Sequence, residues 1–175
     1  GPQALTQIVA ELPADLAAPI AMVLHIPPEY TAALAERLDR SSRLHVVEAS
    51  DGLVLEPGLV VLARGGTHLR VESGGGHLVA ALGAQPRRPF TPSVDELFLS
   101  GARAVGPAAL GVVLTGMGDD GLEGARAIAA AGGGLVTEAA ATCVVYGMPR
   151  SVYEAGLGAA SVPLPQIAQE IARRV

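Results

Sequence analysis

Two aspartates in a glycine-rich turn and a histidine at the end of an apolar run are the residues best placed for chemistry. Asp119 and Asp120 lie in Leu114-Thr-Gly-Met-Gly-Asp-Asp-Gly121, after the apolar run 109–114 and before a helical pattern over 122–131. A buried strand that breaks into such a turn and then a helix puts the turn at the strand's carboxyl end. Open α/β sheets bind ligands at that edge. Asp at a helix start is also a favoured cap. Two of them between Gly118 and Gly121 suggest that one caps while the other points into a cleft to orient an imidazole. His25 ends the run Pro19–His25, just before Ile26-Pro27-Pro28. It reads either as a general acid or base or as a ring that bonds loop backbone.

Other chemistries compete for these residues. Gly116-Met-Gly-Asp-Asp-Gly121 has the G-x-G-x-x-G form of a dinucleotide-binding turn, with Glu138 spaced as a ribose-binding acid. Its two aspartates, however, would oppose the anion that a helix start attracts. A metal site of His25, Asp119 and Asp120 has no supporting H-x-E, H-E-x-x-H or cysteine cluster. His45, His68 and His77 lie in strand or hairpin segments, where exposed or capping roles are expected. Cys143 reads as a buried apolar filler.

The elements that must position these groups alternate β and α. Helical spacing covers 3–12, 29–38, 94–105, 122–131, 148–155 and 163–174, and strand patterns cover 19–25, 44–48, 59–63, 68–72, 77–82, 109–114, 135–137 and 160–162. Ser93 is the expected cap of 94–105, with Glu96 completing a capping box. Gly65-Gly66 and Gly74-Gly75-Gly76 suggest antiparallel hairpins among 59–82. The expected fold is α/β: a doubly wound, Rossmann-like, three-layer domain with a mostly parallel sheet, helices on both faces and an antiparallel hairpin. With 175 residues, one domain is expected. A net charge of −5 without a basic block argues against nucleic-acid binding. No apolar run is long enough to span a membrane. One cysteine and no visible signal peptide suit a reducing compartment, so the cytoplasm is expected.

Several segments together resemble the CheB-type chemotaxis methylesterase catalytic domain. Leu24-His-Ile-Pro-Pro28 with Tyr30-Thr31 resembles its QHMPPGFT, 113–121 its LTGMGNDG, 88–98 its RPSVDVLF and 143–150 its VVFGMP. Pro57-Gly58 and His68-Leu-Arg70 match a further hairpin motif. The resemblance covers nearly the whole chain, in the family's order. It implies hydrolysis of glutamate methyl esters on chemoreceptors, with glutamine deamidation as a second reaction. His25 would be the triad base, Asp120 the triad carboxylate and the Met117 backbone N–H an oxyanion-hole donor. It implies no cofactor and no metal. The implied partner is the helical cytoplasmic region of a methylated chemoreceptor, and a receiver domain is a further candidate.

Departures from the family accompany the match. Its Asn-Asp is Asp119-Asp120 here, His25 follows Leu24 in place of Gln, and Ala63-Arg-Gly-Gly-Thr67 replaces its APG turn. The family's nucleophile lies in a GASTGG turn after its first strand, and residues 1–175 contain no such turn. None of Ser41, Ser42, Ser50, Ser73, Ser93, Ser100, Ser151 and Ser161 has the glycine context of a nucleophile elbow. The expectation is a single methylesterase-like domain over 1–175, truncated at its N-terminus, without a receiver domain and inactive as it stands, in a sheet with two unpaired edges. A catalytically dead docking module and a dinucleotide binder are the alternative readings.

Overall fold

The computed structural model describes all residues 1–175. Helix α1 (Pro2–Glu11) precedes the first strand, β1 (Ile20–Met22). A 3-10 turn at Pro28–Tyr30 leads into α2 (Thr31–Ser41), so this helix starts two residues later than the sequence pattern predicts. Then come β2 (His45–Glu48), β3 (Val54–Leu55), β4 (Leu59–Leu62), β5 (His68–Gly74) and β6 (His77–Gly83). The C-terminal half alternates: α3 (Val94–Val105), β7 (Leu110–Val113), α4 (Leu122–Ala130), β8 (Gly134–Glu138), α5 (Met148–Glu154), β9 (Ala160–Val162) and α6 (Leu164–Arg174). No helix is long and apolar enough to cross a membrane.

The parallel strands form two groups of three, ordered β1-β4-β2 and β7-β8-β9. A third, antiparallel sheet has the order β3-β6-β5. Strand β4 corrects the hairpin expectation for 59–63. It is the central parallel strand of its group, with β1 and β2 on either side, and only β5–β6 is a hairpin. Its side chains divide by strand alternation. Val60 and Leu62 join a core with α1, α2 and α6, while Val61 and Ala63 join a second core with α3, α4 and α5. Helices therefore cover both faces, and the architecture is Rossmann-like with an added antiparallel sheet.

Strands β1 and β7 each end their group, and neither pairs on its outer side. Both edges border one cavity of about 860 Å³. Apolar residues line it: Leu5 and Val9 of α1, Ile20 and Met22 of β1, Val112 and Val113 beside Leu97 of α3. It reaches His25 and Met117 at the carboxyl end of the strands.

Candidate active site

His25 stands three residues past the end of β1, at a tight turn closed by the Ile26 N–H on the Leu24 carbonyl, just before Pro27-Pro28. The Pro-Pro turn is seated against Gly65, where a Cβ would come within 2.5 Å of the Pro28 Cα. Only glycine leaves room for that approach. On the other side of the turn, Thr31 is fully buried, donates its hydroxyl to Glu48 with the Pro28 carbonyl 3.1 Å away, and accepts the Gly65 N–H. The histidine is thus fixed by backbone packing as well as by its own contacts.

Asp120 meets His25 across the strand ends, with His25 Nε2 2.7 Å from Asp120 Oδ2. The same oxygen accepts the Val94 N–H at 2.8 Å. Asp120 Oδ1 accepts the Ser93 hydroxyl at 2.9 Å and the Asp95 N–H at 3.0 Å. A carboxylate offers about four acceptor positions, and all are used here. Burial opposes ionisation of Asp120, but the hydrogen bonds from His25, the Val94 and Asp95 amides and the Ser93 hydroxyl outweigh it and hold the pKa at about 2. An ionised Asp120 makes His25 Nε2 the protonated nitrogen. Nδ1 is then a lone pair with no acceptor or donor partner in the chain. Phe90 lies flat on the imidazole, with centroids 4.1 Å apart and planes 6° apart.

The structure brings together His25, Asp120 and the turn that carries Met117. Met117 is exposed and lines the cavity, and its backbone N–H donates to no acceptor in the chain. Asp119 is exposed, and its carbonyl accepts the Leu122 N–H. The expected division of labour between the two aspartates changes accordingly. Neither side chain caps α4. Asp120 instead caps α3, and Asp95 in the first turn of α3 caps α4, accepting the Gly121 and Gly124 N–H groups at 3.0 and 2.8 Å.

Three further residues belong to the site that sequence reasoning placed elsewhere or did not single out. Ser93 is the α3 cap as expected, accepting the Asp95 N–H, but its hydroxyl is spent on Asp120. The capping box does not form: Glu96 pairs with Arg70 and Arg88. His68, expected to be exposed or capping, is fully buried. It accepts the Ser93 N–H at Nδ1 and donates from Nε2 to the Pro86 carbonyl. Phe90 had no signal beyond its place in a loop.

The competing chemistries meet physical obstacles. Asp95 already occupies the α4 N–H groups that a dinucleotide pyrophosphate would need. Glu138 is fully buried and accepts from the Thr115 N–H and the Thr142 hydroxyl, so it cannot reach a ribose. No three His, Cys, Asp or Glu side chains are grouped as a metal site. Burial pushes the Cys143 thiol up to about 11, with the nearby Glu138 carboxylate adding to it, which leaves it a poor nucleophile.

Comparison with known proteins converges on one family. The family described as CheB methylesterase matches residues 1–171. The protein-glutamate methylesterase/protein-glutamine glutaminase 5 of Myxococcus xanthus is 54% identical over 176 residues, covering 100% of this chain and 51% of that protein. A protein of the same description from Moorella thermoacetica is 48% identical, covering 98% of this chain and 41% of its own length. The chain therefore spans about half the length of the curated relatives it matches. The crystal structure of the Thermotoga maritima CheB methylesterase catalytic domain superposes with a TM-score of 0.97 at 38% identity, covering 100% of this chain and 93% of that one.

Proposed function

The chain belongs to the CheB methylesterase family, and from that premise we propose that it is the acid-base half of a serine-type esterase acting on glutamate methyl esters of chemoreceptors. Glutamine side-chain amides are the proposed second substrate. The carrying observation is the 2.7 Å bond from His25 Nε2 to a saturated, ionised Asp120 beside a cavity flanked by two unpaired strand edges. The chemistry follows from which nitrogen is free. Nδ1 takes the proton of an attacking hydroxyl, and Asp120 steadies the imidazolium. The Met117 N–H, unpaired in the chain, donates to the tetrahedral oxyanion. Nδ1 returns the proton to departing methanol, and water repeats the sequence on the acyl-enzyme.

The nucleophile is proposed to lie outside residues 1–175. No hydroxyl bonds Nδ1, and Ser93, the serine nearest the pair, is buried and committed to Asp120. An extended segment in the cavity, paired with β1 on one side and β7 on the other, would bring a hydroxyl to the strand ends. The proposed partner is the helical region of a methylated chemoreceptor, in the cytoplasm. A receiver domain is a proposed second partner, for which the greater length of the relatives leaves room.

The test is methanol release from methylated chemoreceptor. Residues 1–175 alone should release none. The same residues preceded by an apolar strand and a GASTGG turn should release it, and His25→Ala should cut that release by about 10³-fold or more. Activity of residues 1–175 alone, or of the extended protein without His25, contradicts the proposal. An inactive extended protein that still binds receptor favours the docking reading, which the missing hydroxyl on Nδ1 motivates.

A further inference from the structure

We infer that Ser93 and Asp95 are positioning residues for the His25–Asp120 pair, acting through a reciprocal cap between α3 and α4. The inference rests on the reading of that pair as the acid-base element. Three of the four bonds that hold Asp120 come from residues 93–95 at the start of α3: the Ser93 hydroxyl and the Val94 and Asp95 N–H groups. Only the fourth comes from His25. The position of Asp120 is therefore set by where the first turn of α3 lies.

That turn is in turn fixed by α4. Asp95 Oδ1 accepts the Gly121 and Gly124 N–H groups. The helices touch at this point, since a Cβ on Gly124 would come within 2.4 Å of the Phe98 Cβ and 3.3 Å of the Asp95 Cα. The first turn of α3 and the turn that opens α4 thus each supply the carboxylate that caps the other helix, and neither cap can shift without moving Asp120. His68 adds a brace by accepting the Ser93 N–H. A Ser or Asn at each position would cap the helices without bringing two carboxylates this close, and burial and the neighbouring Asp120 charge both push the Asp95 pKa up. An arrangement that fixes one carboxylate against an imidazole accounts for both.

The readout is solvent exchange of the His25 Nε2 proton, followed by ¹H–¹⁵N NMR on residues 1–175. Ser93→Ala and Asp95→Ala should each speed that exchange about tenfold or more, the effect of losing one bond to a charged group. Ser93→Thr and Asp95→Asn keep the acceptor and donor atoms and should stay within about twofold of the parent. Arg126→Gly, on the exposed face of α4, weakens the helix without touching any of these bonds. It should lower Tm by about 2–4 °C and leave the exchange unchanged, which separates positioning from general destabilisation. Protection retained in a folded Ser93→Ala or Asp95→Ala variant overturns the role of that residue. Should Asp95→Ala not fold, faster exchange in Asp95→Asn than the twofold limit overturns the role assigned to the Oδ1 cap. Asp120→Ala is the separate arm: if the proton stays protected there, the His25–Asp120 pairing itself is wrong.

Discussion

At the scale of single residues, the site is governed by a carboxylate with no acceptor position to spare. The folded pKa of Asp120, about 2, lies below its ordinary 3.8. Its contribution is therefore fully present above pH 4 and is lost as pH falls toward 2, a change of about 2 kcal/mol. Asp95 is displaced upward, mainly by burial. Its contribution has the opposite sign, being greatest at low pH and lost as pH rises through its folded pKa. Urea unfolding at pH 4 and pH 2 should show the Asp120 loss in the parent and not in Asp120→Asn; equal pH slopes would contradict the network. Phe90 is the other lever. Phe90→Ala should cost about 0.5–1.5 kcal/mol of stacking and make His25 several-fold more reactive to diethylpyrocarbonate. Unchanged reactivity would mean that the stacked ring does not shield it. That His25 and Asp120 meet was legible because a strand end and a strand-to-helix turn place them on one edge. Ser93 was legible only as a cap, because its second partner is 27 residues away. Asp95 and Phe90 carry no local signal, since a crossed cap and a ring stack depend on how separate segments meet.

At the scale of elements, the decisive contact is α3 against α4. Helix propensity alone predicts that Gly124→Ala stabilises α4 by about 1 kcal/mol. The clash with Phe98 and the Asp95 backbone predicts the reverse. Overpacking of about 1–3 kcal/mol is the larger effect, so Gly124→Ala should lower Tm, and a rise in Tm would show that the helices can separate freely. Most elements could be read from periodicity because amphipathic helices and apolar strands leave it in the sequence. Strand β4 was misplaced because Gly65-Gly66 reads as a hairpin turn. Its own composition carried the better signal: an unbroken Leu-Val-Val-Leu run suits a strand buried on both faces. The capping box failed for a different reason. Arg70 and Arg88 offer Glu96 charged partners that outcompete a backbone N–H.

At the scale of the whole molecule, two parallel groups share one layer without hydrogen bonds between them. Central strands should be the most protected, so amides of β4 and β8 should exchange at least about tenfold more slowly than those of β1 and β7. Uniform protection would mean that the two outer edges are covered. The α/β class and the layering were legible in the alternation of elements. The split of the sheet was anticipated only through the family resemblance, because a strand's own sequence does not record which neighbour is beside it. The split also bears on solubility. An unpaired strand on the outside of a protein is a template onto which other molecules can stack. Here the two bare edges turn inward toward a channel walled by helices. The helices that wall it stand between those edges and a folded neighbour, and a single extended segment is the shape that matches two facing strand edges. Self-association through these edges should therefore require an unfolded partner, and the feature that leaves the sheet unfinished also screens it from aggregation.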